Sequence, residues 1–146
     1  MRLPTAEELS PGPEYLESAT VLQNFLGKTL EEAEPLFAKW GSMEDLESMA
    51  PAGFRFYVQA AINYVKSQAS TNDSTMVSCF ADVLAWVLKR EAAEELIPVS
   101  PQLASVCGYI VQHYDRFDIS PEIYGDLRPR YLLLEQTFLQ QAQIQS

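Results

Sequence analysis

The sequence predicts an all-α fold, a single compact multi-helix bundle of about five main helices plus short helical turns. Three observations carry that expectation. Apolar residues recur at three- and four-residue steps through most of the chain, helix-start signals built on Ser, Thr and Pro stand ahead of those runs, and no run of four or more alternating residues flanked by turn signals competes with them. With 146 residues, 47% hydrophobic and 21% charged, the chain has the length and composition of one domain able to bury its own core. Residues 1–13 carry Pro4, Pro11, Gly12 and Pro13 with few apolar groups and are expected as an irregular arm, either mobile or laid over the body; residues 14–146 form the helical domain.

In the first helix Tyr15, Leu16, Ala19, Val21, Leu22, Phe25 and Leu26 share the helical period, and Gly27 stands where a left-handed C-terminal cap belongs. Thr29 and Glu32 have capping-box spacing, but Pro35 removes a backbone donor one turn later, so this element either kinks or restarts there before ending near Trp40-Gly41. Ser42 and Asp45 repeat the cap logic for a short turn over 43–49, and Pro51 opens the next helix at its first position, where a missing N–H costs nothing. There Phe54, Tyr57, Val58, Ala61, Ile62 and Val65 form one stripe and Phe56, Ala60 and Tyr64 a second, so the helix is expected inside the bundle, its rings as interior filling. A polar loop over 68–73 precedes a helix over 74–90 with Met76, Val77, Phe80, Val83, Leu84, Val87 and Leu88 on its core face. Ser100-Pro101 and Ser120-Pro121 each read as an N-cap with a first-position proline, starting a helix over 101–117 and a turn over 121–124 that Gly125 ends; a last helix is expected over 129–143.

Net charge is −10 and unevenly placed: residues 1–50 hold ten acids against Arg2, Lys28 and Lys39, and the other 96 residues carry only −3. Such a surface repels phosphate backbones and anionic headgroups, which argues against nucleic-acid and membrane-surface binding and for a partner protein with a basic surface; surplus acid also simply keeps a cytosolic protein soluble. The start of the chain turns acidic at once, unlike a secretory signal, and the longest apolar stretch, 79–88, is broken by Asp82 and far short of a membrane span. Cys79 and Cys107 lack CxxC spacing and sit in apolar helical patterns, as free buried thiols in a reducing cytoplasm do.

The residue types that run reactions are sparse. His113 is the one histidine; it lies about 240° round the helix from Cys107, so only Cys79 could approach it across helices. His113, Asp115, Asp118 and Glu122 cluster in sequence, but without any known metal-ligand spacing, and a solvated loop is the plainer reading. Asp82 is the one acid inside a strongly apolar run, with Ser78, Trp86 and Lys89 on its side of the helix, and is expected on the outer face near Lys89 or bonded to a neighbouring helix. Six scattered glycines without a strand give no phosphate loop, and no cofactor or metal is expected.

Trp40, a spacer with Leu46 in its turn, and then Ala50-Pro51-Ala52-Gly53-Phe54-Arg55-Phe56-Tyr57-Val58-Gln59-Ala60-Ala61 resemble the centre of a family of short, mainly bacterial, all-helical proteins of unknown function. Its members read roughly Trp, spacer, Leu-Thr-Pro-Glu-Ala-Phe-Arg-Tyr-Tyr-Leu-Pro-Ala, and Ser100-Pro101-Gln102-Leu103 is similar to the family's next helix start. Val58-Gln59 stands where the family often has Leu-Pro, and the resemblance brings no activity or catalytic residue.

The expected function is non-catalytic capture of another protein through an acidic surface, in its sharpest form an immunity- or antitoxin-like inhibitor of a basic toxin, with Glu31, Glu32, Glu34, Glu44, Asp45 and Glu47 as contact residues. The alternatives are a small enzyme assembled from dispersed groups such as Arg55, Tyr57, Asp82 and His113, which requires one pocket to gather them, and a structural oligomer subunit.

Overall fold

The computed structural model describes residues 2–10, 12, 18–39 and 41–143; Pro11, Pro13, Tyr15, Leu16 and Trp40 of the sequence argument lie outside them. The fold is all-α, with no strand among the described residues. Its helices are α1 (Ala6–Leu9), α2 (Ser18–Phe25), α3 (Leu30–Ala33), α4 (Ser42–Asp45), α5 (Pro51–Lys66), α6 (Ser74–Arg90), α7 (Ala93–Leu96), α8 (Ser100–Gln112), α9 (Pro121–Tyr124) and α10 (Arg128–Gln143), with 3₁₀ turns at Glu34–Ala38, Leu46–Ser48, Gln68–Ser70, Ile97–Val99 and Tyr114–Phe117.

Helix α5 is the axis. Phe54, Tyr57, Val58, Ala60, Ala61, Ile62, Tyr64 and Val65 are all buried, as the two apolar stripes require. The Tyr57 hydroxyl sits between Phe25 O and Lys28 O, at 2.6 and 2.8 Å, so the carbonyls left open at the end of α2 are satisfied from the centre of the bundle. Gly27, at φ 81°, provides the left-handed turn there.

Helices α8 and α10 pack antiparallel: the Ser100 hydroxyl lies 3.0 Å from Gln141 Oε1, Gly108 faces Glu135, and Leu127 N–H donates to the Tyr114 hydroxyl. Tyr131 carries the pair onto α6, its hydroxyl donating to Val77 O. Asp73 caps α6 by accepting from Met76 N–H, and its other oxygen accepts from the Tyr64 hydroxyl at 2.5 Å.

Several elements differ from the sequence expectation. Within the arm, Thr5 and Glu8 close a full capping box over the single turn of α1, and Leu9 is buried in the main core. Pro35 restarts rather than kinks, opening the 3₁₀ turn that follows α3. Ser42 is not a cap; Gly41, at φ 90°, takes the N-cap position and Ser42 is buried. The Ser100 hydroxyl is buried and donates to Leu96 O instead of capping α8, while the Ser120 hydroxyl donates to Glu122 Oε2. The 101–117 helix breaks at His113 into a 3₁₀ turn closed by Asp118 at φ 52°.

Helix α1 reaches α5 at Gly53, where a Cβ would stand 2.8 Å from Leu9 Cα and 3.0 Å from Glu8 O, and Ala50 N–H donates to Leu9 O at 3.0 Å. Backbone meets backbone here, so nothing flexible can yield. Gly53→Ala is therefore expected to lift α1, costing about 1–3 kcal/mol in urea unfolding and raising amide hydrogen exchange over residues 5–10 before the rest of the chain.

Candidate functional site

An open groove of about 630 Å³ lies between α1, the segment 47–51 and the C-terminal end of α6. Two features of α6 build it. Trp86 and Arg90 are one turn apart and share a face. Arg90 reaches across to the loop and donates to Glu47 O and to Met49 O, fixing that wall, while Trp86 stays 49% exposed over the groove.

Glu91 is the anomaly. It caps the C-terminal end of α6, where the carbonyl dipoles are negative and an acid is unfavourable. Its side chain is only 13% exposed, and Arg90 Nη2 stands 3.5 Å from Oε2 without forming a hydrogen bond, so that buried oxygen has no hydrogen-bond partner. The ion pair with Arg90 offsets part of the cost of burying that acceptor without a hydrogen bond. Glu47 on the opposite wall is held above the ordinary carboxylate range by burial and by the charges of Glu44 and Asp82, with Arg90 acting against them. Glu7 of α1 and Ser10 just after it complete the rim.

The six acids singled out in the sequence are distributed. Glu44 is exposed and Glu47 half-buried beside the groove. Asp45 is half-buried, accepts from Asn24 Nδ2 at 3.2 Å and is raised mainly by burial. Glu31 and Glu32 are exposed on α3 and Glu34 is partly exposed just after it. Glu32 closes a capping box with Thr29, whose backbone N–H and hydroxyl hold its carboxyl below the usual range.

The structure does not bring Arg55, Tyr57, Asp82 and His113 together. Arg55 pairs with Glu95 at 2.7 Å, Asp82 with Arg130 at 2.7 Å across to α10, Tyr57 is inside, and His113 is exposed, its ring tilted against that of Tyr109 at 4.2 Å. Cys107 is pushed up to about 12 by burial and Glu135, and Cys79 is raised by burial and by Glu44, Asp82, Asp73 and Glu47, so neither thiol is poised as a thiolate. Among the described residues no three His, Cys, Asp or Glu side chains gather as metal ligands, and no helix is long and apolar enough to cross a membrane.

Trp86, Arg90, Glu91 and Glu7 did not emerge from the sequence as one site. The signal for Trp86 was present: it shares the polar side of α6 with Asp82 and Lys89. Compared with family models, curated proteins and solved structures, the chain matches none.

Two measurements test this electrostatic picture. Glu47 titrates above its unfolded value, so its protonated form favours the fold; that contribution is present below the ordinary carboxylate range and is lost as pH rises through the folded value. Glu47→Gln is thus expected to raise thermal stability near neutral pH by less than about 1 kcal/mol, with the gain gone near about pH 3. A thiol reagent at mildly alkaline pH is expected to modify Cys79 slowly and Cys107 only after unfolding, as followed by mass spectrometry.

Proposed function

We propose that the protein is a non-catalytic binding module that captures another protein through an acidic surface, the partner presenting a basic one. One observation supports this above the others. Among the described residues no Lys or Arg lies within salt-bridge distance of Glu7, Glu31, Glu34, Glu44, Asp45 or Glu47, whereas Glu8, Asp82, Glu95 and Asp126 are each paired. These six acids of the first third thus have no ion-pair partner, and burial together with the charges of Glu44 and Asp82 raises Glu47. Opposite charge on a partner relieves that field and speeds encounter. A reducing cytosol is the compartment that two unpaired cysteines fit.

Capture from a native extract provides the test. The wild-type chain is expected to retain a partner at low salt and lose it near about 1 M salt, where the Debye length falls to about 3 Å. A Glu31→Lys/Glu44→Lys/Glu47→Lys variant, folded by circular dichroism, is expected to lose the same partner, with association slowed at least tenfold. Retention that ignores both changes removes the proposal.

A further inference from the structure

Helix α10 is apolar on two sides. Tyr131, Leu134 and Phe138 fill the core, yet three of the large apolar side chains exposed among the described residues, Leu132, Leu133 and Leu139, stand on the same helix facing out. Leu132 and Leu139 are seven residues apart on one line, Leu133 and Gln140 on another, and exposed Gln136 lies between the lines. Seven-residue spacing of leucine is the seam of paired helices. We propose that this face is where a second copy of the chain docks, the two α10 helices packing antiparallel about a two-fold axis through Gln136.

Charge selects the occupant. The chain carries −10, so two copies repel wherever their acids meet, but residues 131–143 hold one charge, Glu135, which lies against Gly108 of α8 rather than among the exposed leucines. A basic partner finds no acid on those leucine lines, whereas a second copy finds there a face that does not repel it. The face is also self-complementary, as a two-fold contact requires. With Gln136 on the axis, Leu133 meets Leu139 of the second copy and Leu132 meets Gln140. The Gln136 carboxamide both donates and accepts, so two of them on the axis bond to each other. The helix ends agree. Helix α10 has no acid in its first turn, which carries Arg128 and Arg130, and no base in its last, the reverse of what its dipole favours. Antiparallel pairing sets Arg128, half-exposed in its pair with Asp126, beside the carbonyl end of the other helix.

The contact is small. Sixteen residues give a strip about 24 Å by about 10 Å, below the roughly 800 Å² per partner of a tight interface, so half-association near about 100 μM is expected.

The experiment is sedimentation equilibrium of the full chain from about 10 μM to about 1 mM, at about 10 mM and about 150 mM salt. The mass is expected to rise from 16.4 kDa toward twice that value. The dimer is expected to tighten at least threefold at the higher salt, where the Debye length falls from about 30 Å to about 8 Å and repulsion between the two acidic bodies is screened. Leu133→Lys and Leu139→Lys each reduce the net negative charge, yet each is expected to weaken the dimer at least tenfold by placing an unpaired ammonium in the seam. Both positions are exposed, and circular dichroism confirms the fold. In a Cys79→Ser background, Leu132→Cys is expected to be linked by a short bis-maleimide to Gln140→Cys at least tenfold faster than to itself.

A single-chain mass at every concentration overturns the proposal. So does a dimer that both lysine variants leave unchanged, which marks a contact elsewhere, and one that loosens with salt, which marks ionic bridging of acidic faces. Leu132→Cys linked to itself at the same rate overturns the antiparallel arrangement. If the chain stays monomeric and Leu133→Lys instead abolishes capture of another protein, the face belongs to that protein and the proposal falls.

Discussion

Burial of α5 on nearly every side is the constraint from which the remaining arrangement follows. A helix enclosed by other elements has carbonyls at its end that water cannot reach, and each must find a donor. No glycine caps α5. Its last turn is closed by Ser67, which donates to Tyr64 O with both its N–H and its hydroxyl, and by Arg116, which donates to Val65 O at 2.6 Å and to Ser67 O at 2.9 Å. Arg116 also reaches Thr71 and the buried Ser70, rests against the Phe117 ring, and accepts from Asn72 N–H with its own carbonyl. The turn after α8 is thereby tied to the loop after α5, which fixes where α6 begins.

The other end of α5 sets the groove. Gly53 lets α1 approach to backbone contact, and Arg90 holds the 47–49 carbonyls from the far side. Helix α1 is thus anchored on α5, and the segment 47–49 is anchored on α6 through Arg90. The groove is the space their anchors leave, and its walls are held by hydrogen bonds to backbone rather than by packing alone. Such a site changes little in shape when a ligand enters, so the ordering cost of binding is small.

What the sequence made legible was local. Pro51 at a helix start, Gly27 at a helix end, the Thr29 and Glu32 box and the two stripes of α5 each depend on neighbours within a few positions, and all are in the structure. The same spacing at Thr5 and Glu8 was hidden by prolines on both flanks and by the scarcity of apolar residues around it, since only Leu9 anchors α1. Ser100 misleads for the opposite reason: a local cap pattern was overruled by a buried position where Leu96 O and Gln141 offer better partners. Arg116 and Arg90 act across more than forty residues of chain, and no local pattern encodes that reach. Of the groove, Glu47 stood out as a charge, whereas its meeting with Trp86 and Glu91 is a product of tertiary structure alone.

The contrast between the groove and the rest of the surface is an electrostatic argument in itself. Several acids away from the groove are neutralised, whereas Glu31, Glu34 and Glu44 are not: Glu8 is held at about 2 by Arg2 and Thr5, Asp126 is gripped by Arg128, and Asp82 and Glu95 meet arginines at 2.7 Å. At the groove Arg90 is shared between the carbonyls of Glu47 and Met49 and the Glu91 carboxylate at 3.5 Å, Glu47 is left raised, and Glu91 opposes a helix dipole. A lysine at position 91 would favour the dipole but would lose the ion pair with Arg90, so the glutamate trades one electrostatic contact for another. Local rules are thus relaxed together at one end of α6, beside an exposed tryptophan.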